Sequence, residues 1–267
     1  MHVFPSSSTN NNDNGRTTDI HVDWIYCLQF NSKILVTGSR DRTLKVWDMN
    51  NSDCLHTLYG HSASVLCLQF DDRWIISGSS DMTMIVWDIS SGRKVRTLTG
   101  HSESVLNLRF NGDRLVSSSK DRTIRVWDLS TGSTTQVLRG HRAAVNAVQF
   151  KDDMVVSASG DRTIRLWNAN TGASIRTFDS HSRGIACVEF DGNCIVSGSS
   201  DQTIKIWNMT NGECLHTLTG HTELVRTLQM DKRLDRIVSG SYDGSLRIWN
   251  MEKGTLLRSL TDNLDGR

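Results

Sequence analysis

Apolar and polar residues follow one another in short runs along most of the chain. Val65 to Phe70 is an apolar-rich run, broken by a polar turn at Asp71-Asp72-Arg73 and resumed from Trp74 to Ser79. A third run covers Met82 to Trp87, a Gly-containing turn follows at Ser90-Ser91-Gly92, and a fourth run covers Lys94 to Leu98. Short runs rich in β-branched residues and bounded by Asp, Gly and Ser predict β-strands, and no stretch carries the spacing of an amphipathic helix.

The four-run unit recurs. His21, His61, His101, His141, His181 and His221 stand 40 residues apart. Trp47, Trp87, Trp127, Trp167, Trp207 and Trp249 keep the same beat, the last step lengthened by the turn Asp231 to Arg236. Asp41, Asp81, Asp121, Asp161, Asp201 and Asp243 precede each Trp. A unit of this length with a Gly-His and a Trp-Asp dipeptide resembles the WD repeat. The resemblance implies an all-β propeller with one four-stranded blade per repeat. It covers 21–262, in repeats of about 21–60, 61–100, 101–140, 141–180, 181–220 and 221–262. Trp-Asp is kept at Trp47, Trp87 and Trp127 and drifts to Trp-Asn at Trp167, Trp207 and Trp249.

Periodic His and Asp beside a residue such as Ser77 invite a catalytic reading. Catalysis needs one assembled site, whereas these residues recur once per unit. The WD resemblance implies instead a structural hydrogen-bonded network of His61, Asp81 and Trp87; His101, Asp121 and Trp127; His141, Asp161 and Trp167; His181, Asp201 and Trp207; and His221, Asp243 and Trp249. The expectation is a protein that is not an enzyme and holds no cofactor or metal.

Charge and cysteines narrow the partners. With 30 Lys and Arg against 29 Asp and Glu, no global field draws the chain to nucleic acid or an anionic membrane. No apolar run approaches the roughly 20 residues of a membrane-spanning helix, and no secretory signal is expected at the N-terminus. The six cysteines form no zinc-type spacing. Cys27, Cys67 and Cys187 share one repeat position inside apolar runs, as small buried hydrophobes do. A reducing compartment, cytoplasm or nucleus, is expected. Ser6 to Gly15 is a polar low-complexity run, so residues 1–20 are expected to be disordered, with 263–267 a short tail. No seventh repeat follows, and each blade supplies its own four strands. The expectation is a six-bladed ring or, preferred because an unclosed sheet edge invites aggregation, a fragment of a seven-bladed one.

Positions that vary among otherwise similar repeats are free of the shared structural task. The fifth residue after each His reads Tyr26, Leu66, Leu106, Asn146, Ala186 and Arg226. The residue before each Asp reads Arg40, Ser80, Lys120, Gly160, Ser200 and Tyr242. Both columns are expected at the mouth of the propeller channel, where they hold three cations and no acid. A slightly outer ring adds Ser64, Arg183, Gly184 and Leu224, along with Asp23, Glu103 and Glu223. Arg forks with Ser and Tyr hydroxyls suit phosphate or carboxylate.

Gly140 to Asn146, Ser157 to Thr163, His181 to Cys187 and Glu223 to Arg226 go beyond a generic repeat. They resemble the beta-transducin-repeat-containing F-box proteins, the substrate receptors of SCF ubiquitin ligases. That resemblance implies recognition of a doubly phosphorylated Asp-Ser-Gly degron, with phosphate and Asp held at Tyr26, Arg40, Ser64, Ser80, Arg183, Gly184 and Arg226. It implies apolar and amide contacts at Leu106, Asn146, Ala186, Leu224 and Tyr242. The family's seventh blade, with a further phosphate-binding Arg, and its F-box helices have no counterpart in these 267 residues. Adaptor and cullin partners are therefore expected only through an F-box outside this chain. The rival expectation is a generic WD-repeat scaffold without phosphate preference.

Overall fold

The structure is a computed structural model that describes residues 20–261; the expected N-terminal disorder and the 263–267 tail lie essentially outside the described residues. Twenty-four strands form six four-stranded antiparallel sheets, each a meander in chain order, and no helix occurs among the described residues. These sheets are called blades 1 to 6 and span 25–59, 65–98, 105–139, 145–179, 185–218 and 225–261. Blades 1 and 2 lie in one compact unit ending at Thr99, and blades 3 to 6 lie in a second beginning at Gly100.

Blade 2 shows how the runs become strands: Val65–Phe70, Trp74–Ser79, Met84–Asp88 and Lys94–Leu98. The third strand starts two residues later than the apolar run because Met82 turns left-handed, at φ 70°. The residue after the repeat Asp is left-handed in every blade, at Arg42, Met82, Arg122, Arg162, Gln202 and Gly244. Its N–H donates to the carbonyl three residues back, from Ser39 in blade 1 to Ser241 in blade 6. Five of these six residues carry a Cβ in a region where one is costly.

A second irregularity matters more for function. In blade 2 the first strand pairs Val65 with Ser79 and then Cys67 with Gly78, leaving Leu66 out of register as a β-bulge. The other blades repeat this, omitting Tyr26, Leu106, Asn146, Ala186 and Arg226. In four blades the pair after the bulge balances its volumes: Cys27, Cys67 and Cys187 face Gly38, Gly78 and Gly198, while Ala147 faces Ala158. A Cβ on Gly38 or Gly198 would come within 2.7 Å of the opposing Sγ. All six thiols are free, and burial pushes the Cys187 thiol up to about 12.

The cores lie between consecutive blades of a unit. In unit 1, Val36, Leu44, Val46 and Leu58 of blade 1 pack with Val65, Leu68, Phe70, Ile75 and Trp87 of blade 2. In unit 2 the same positions build the joints between blades 3 and 4, 4 and 5, and 5 and 6. Each joint within a unit thus sets the trailing face of one blade against the leading face of the next.

Candidate functional site

The repeated polar residues form one closed network per blade. In blade 4, His141 Nδ1 lies 2.9 Å from Asp161 Oδ2 and His141 Nε2 lies 2.8 Å from Ser157 Oγ. Trp167 Nε1 donates to the same Ser157 Oγ at 2.8 Å. A carboxylate only accepts, so His141 Nδ1 donates and Nε2 accepts the hydroxyl proton of Ser157. The order Trp–Ser–His–Asp is thereby fixed in direction. Blades 2, 3, 5 and 6 repeat it through Ser77, Ser117, Ser197 and Ser239. In blade 1, His21, Asp41 and Trp47 use Thr37. Thr163 Oγ1 also donates to Asp161 Oδ1, and the backbone N–H of Arg142 to Oδ2.

Electrostatics agree with a neutral ring. Burial holds His141 and His181 below the usual imidazole range, against the pull of their Asp partners. Burial alone would raise the Asp161 carboxyl, but hydrogen bonds from Thr163, the Arg142 backbone and His141 hold it at about 2. The Ser-His-Asp order is that of a hydrolase triad, yet every one of the five seryl hydroxyls sits on a fully buried residue and is closed off by an indole N–H. These groups have no access to a substrate.

The variable columns sit together at one end of each blade. The residue before the repeat Asp donates its N–H to the carbonyl of the third residue after His: Arg40 to Trp24, Ser80 to Ser64, Lys120 to Ser104, Gly160 to Ala144, Ser200 to Gly184, and Tyr242 to Leu224, at 2.8–3.0 Å. The bulged residue is two positions further on. A bulge frees a side chain from the ladder and re-aims it, which is why bulges gather at rims and binding sites.

The rim of unit 1 carries Tyr26, Arg40, Ser64 and Ser80. Arg40 is partly engaged: its Nε lies 3.7 Å from the Asp23 carboxylate, and its guanidinium 5.7 Å from the centre of the Trp24 ring. Trp24 is 69% exposed. It was not singled out by sequence reasoning, although it is the one aromatic in a column otherwise made of Ser, Ala, Gly and Leu.

In unit 2 the rim is continuous from blade 4 to blade 6. Asn146 Nδ2 donates to the Ile185 carbonyl at 2.7 Å, so half of its amide is committed to structure. Gly184 lies against Gly160, where a Cβ would come 3.2 Å from the Gly160 Cα. The Cys187 thiol reaches the Val225 carbonyl at 3.5 Å and feels the Arg226 charge, which places Ala186 and Arg226 on neighbouring strands. Arg183 and Arg226 are exposed and have no ion-pair partner among the described residues. Tyr242 is exposed, while Leu106, Leu224 and Ala186 are half-buried. Lys120 adds a cation, and Glu103 and Glu223 add exposed acids. The arrangement can bind an anion flanked by apolar groups.

At the opposite end of blades 3 and 4 lies a cleft of about 370 Å³ lined by Asp113, Arg114, Trp127, Asp128 and Asn170 among others. Its cation is spent: Arg114 Nη1 donates to the Asp152 carbonyl and to Asp153, and Nη2 to Asn170.

Six stretches, 14–48, 52–88, 92–128, 132–168, 172–208 and 212–250, match the WD40 model (WD domain, G-beta repeat). They cover most of the chain. The chain belongs to the WD40 family, and its fold class is the all-β, WD-repeat β-propeller class with six four-stranded blades. A crystal structure of the computationally designed Ika8 protein is similar to it at a TM-score of 0.82 and 36% identity, over 90% of this chain and 75% of that one. Mitochondrial division protein 1 of Eremothecium gossypii is 49% identical over 39 residues, 15% of this chain and 6% of that protein. Its namesake in Kluyveromyces lactis is 43% identical over 49 residues, 18% and 7% of the respective chains. The matched segment thus spans less than a tenth of these curated relatives. WD40 repeats make this chain a protein-interaction module.

Proposed function

We propose that the rim binds phosphorylated peptides, in the manner of the substrate-receptor propellers of SCF ubiquitin ligases that the rim residues resemble. The observation that carries this reading is the pair Arg183 and Arg226: two exposed guanidinium groups without ion-pair partners among the described residues, the second on a bulge that takes it out of the ladder. A phosphoserine brings about −1.5 to −2 charges and three acceptor oxygens, which suit Arg forks. Ser200 and Tyr242 add hydroxyls, and Leu224 and Ala186 add apolar contact. On unit 1, Arg40 is the weaker cation, since Asp23 already faces it. Ligase recruitment would need an adaptor-binding segment, and cytoplasm or nucleus is the compartment that free thiols and a ligase partner suit. Identity to mitochondrial division protein 1 is confined to about one repeat, so it speaks for the scaffold and not for the rim. A scaffold without phosphate preference is the competing reading, favoured by the exposed Glu103 and Glu223 on the same rim.

Calorimetry with paired Asp-Ser-Gly peptides, phosphorylated and not, separates the two readings. Phosphate-dependent binding is expected, and Arg226→Ala should weaken it about ten- to a hundredfold, the worth of one charge-assisted hydrogen bond. Arg226→Lys should recover part of the loss, and Arg42→Ala, in the exposed turn, should change little. Equal affinity for both peptides, or equal loss in Arg226→Ala and Arg42→Ala, would sink the phosphopeptide reading.

A further inference from the structure

Joints between blades within a unit use one pattern. Between blades 5 and 6, Val196, Ile204, Ile206 and Leu218 of the trailing face pack with Val225, Leu228, Ile237 and Trp249 of the leading face. A polar latch on the fourth strand closes the joint. Gln136 donates to the Asn170 carbonyl, Arg176 to the carbonyls of Thr210 and Asn211, and His216 lies 2.9 Å from the Glu252 carbonyl. Beneath these latches stand Gly172, Gly212 and Gly254, where a Cβ would come 2.6–3.0 Å from the latch side chain.

Two halves of such a joint are left uncovered. On the trailing face of blade 6, Val238, Leu246 and Leu260 are 38%, 48% and 41% exposed, where their counterparts Val196, Ile204 and Leu218 are 0–2% exposed. Arg258, at the latch position, is exposed too. On the leading face of blade 1, Ile25, Leu28 and Phe30 are 51%, 58% and 64% exposed, where Val65, Leu68 and Phe70 of blade 2 are 0–6% exposed.

We infer that these faces form an intermolecular joint, the trailing face of blade 6 in one copy receiving the leading face of blade 1 in a second copy. Three features single out a second copy as the occupant. The two faces carry the residue types that already pack together in the internal joints, so they are complementary by the chain's own template. Both halves reside on one chain, so each copy brings what the other lacks. Arg258 provides the latch donor, and the Asn50-Asn51 turn provides carbonyls at the positions of Thr210 and Asn211. Blade 1 departs from the template at Ser52, which holds the position of Gly172, Gly212 and Gly254 at φ 64°. Its Cβ crowds the latch, and the long side chain of Arg258 must swing aside. The joint is therefore weaker than the internal ones and reversible. Because its two sides differ, the contact is heterologous and builds chains or rings of copies rather than a twofold dimer.

Sedimentation velocity over a concentration series tests this on the 267-residue chain, with melting curves as the folding control. Wild type should grow in mass with concentration. Phe30→Asp and Leu246→Asp, at exposed positions, should each weaken association about thirtyfold or more. An equimolar mixture of the two variants should give heterodimers and nothing larger, since one intact half remains on each. Ser52→Gly should shift wild-type assembly to lower concentration, a gain that a destabilised fold cannot mimic. A monomer at every concentration would overturn the inference; so would a mixture without heterodimer, which would mean that the faces are covered by the same chain or by another partner. Neither result bears on phosphopeptide binding.

Discussion

Ser157→Ala removes one oxygen from the centre of a buried network. Ser157 is fully buried; its hydroxyl accepts from Trp167 Nε1 at 2.8 Å and donates to His141 Nε2 at 2.8 Å. Truncation leaves a buried donor and a buried acceptor unpaired, and each such group costs about 1–3 kcal/mol. Partial relaxation puts the total at about 2–4 kcal/mol, or a melting temperature lower by about 5–15 °C for a domain of this size. The same substitution at Ser118 has the opposite expectation. Ser118 is equally buried, but its Oγ has no hydrogen-bond partner among the described residues. Blade 4 carries Ala158 at the equivalent position, so the methyl fits. Ser118→Ala should leave stability unchanged or raise it by about 1 kcal/mol, since an unpaired buried hydroxyl is removed. Differential scanning calorimetry of the two variants against wild type decides the matter. Equal losses, or a Ser157→Ala protein that melts with wild type, would show that the Trp–Ser–His–Asp order contributes nothing beyond volume.

Acid should weaken the fold in two stages, visible in urea midpoints measured from pH 8 downward. Burial holds His21, His141 and His181 below their usual value of about 6.5, so their contribution is complete above that pH and is lost as pH falls through the lowered values. The repeat aspartates, depressed below about 3.8 by hydrogen bonds from their His and Thr or Ser partners, lose theirs further down, Asp161 at about 2 and the still more strongly depressed Asp81, Asp121 and Asp243 after it. Glu189, raised by burial, acts in the opposite sense, and Glu189→Gln should make the first stage steeper; a midpoint flat between pH 8 and 5 in that variant would contradict the assignment. Met82→Gly should stabilise by about 1 kcal/mol in urea titrations by relieving a left-handed Cβ, as Gly244 already does in blade 6, and a loss of stability would refute the strain. Gly184→Ala should lower the melting temperature by an amount corresponding to about 1–3 kcal/mol, because the new Cβ meets Gly160 backbone rather than a flexible side chain.

Much of the scaffold was legible because it is written six times. A single His, Asp or Trp says little, but three residue types in one register specify both the unit and its internal network. The seryl column was equally visible, a hydroxyl sixteen residues after each His in blades 1 to 5, and it completes the network that those three residues leave open. The left-handed turns were not visible, since Arg42, Met82 and Gln202 have no preference for that conformation and adopt it only because the flanking strands demand it. The bulges were hidden for a related reason. In Val65-Leu66-Cys67 an extra residue slips the alternation by one, and period counting reads it as a continuous apolar run. Pairing partners, unlike strands, require the second chain segment. The same gap separates naming a rim residue from knowing its state: Asn146 and Arg226 share a column, but Asn146 spends half of its amide on Ile185 while Arg226 is exposed and has no ion-pair partner among the described residues.

The bulge explains why so uniform a scaffold can carry a variable rim. Every position on the second and third strands answers to two constraints, a ladder partner and a packed face, and those positions repeat with little change from Val36 to Val196 and from Leu44 to Ile204. A bulged residue is less constrained, because it pairs with nothing across the ladder, stands at the end of the strand and is at most half-buried. Substitution there costs little stability, so the position can hold Tyr26, Leu66, Leu106, Asn146, Ala186 and Arg226 in turn. The fixed network beneath it holds the backbone of that end through the repeat Asp, which accepts from the N–H of the residue after His, Ser62 in blade 2 and Thr222 in blade 6. Chemistry can therefore change at the rim without disturbing its geometry, and the recognition proposed above would draw in part on the unpaired residue of each first strand.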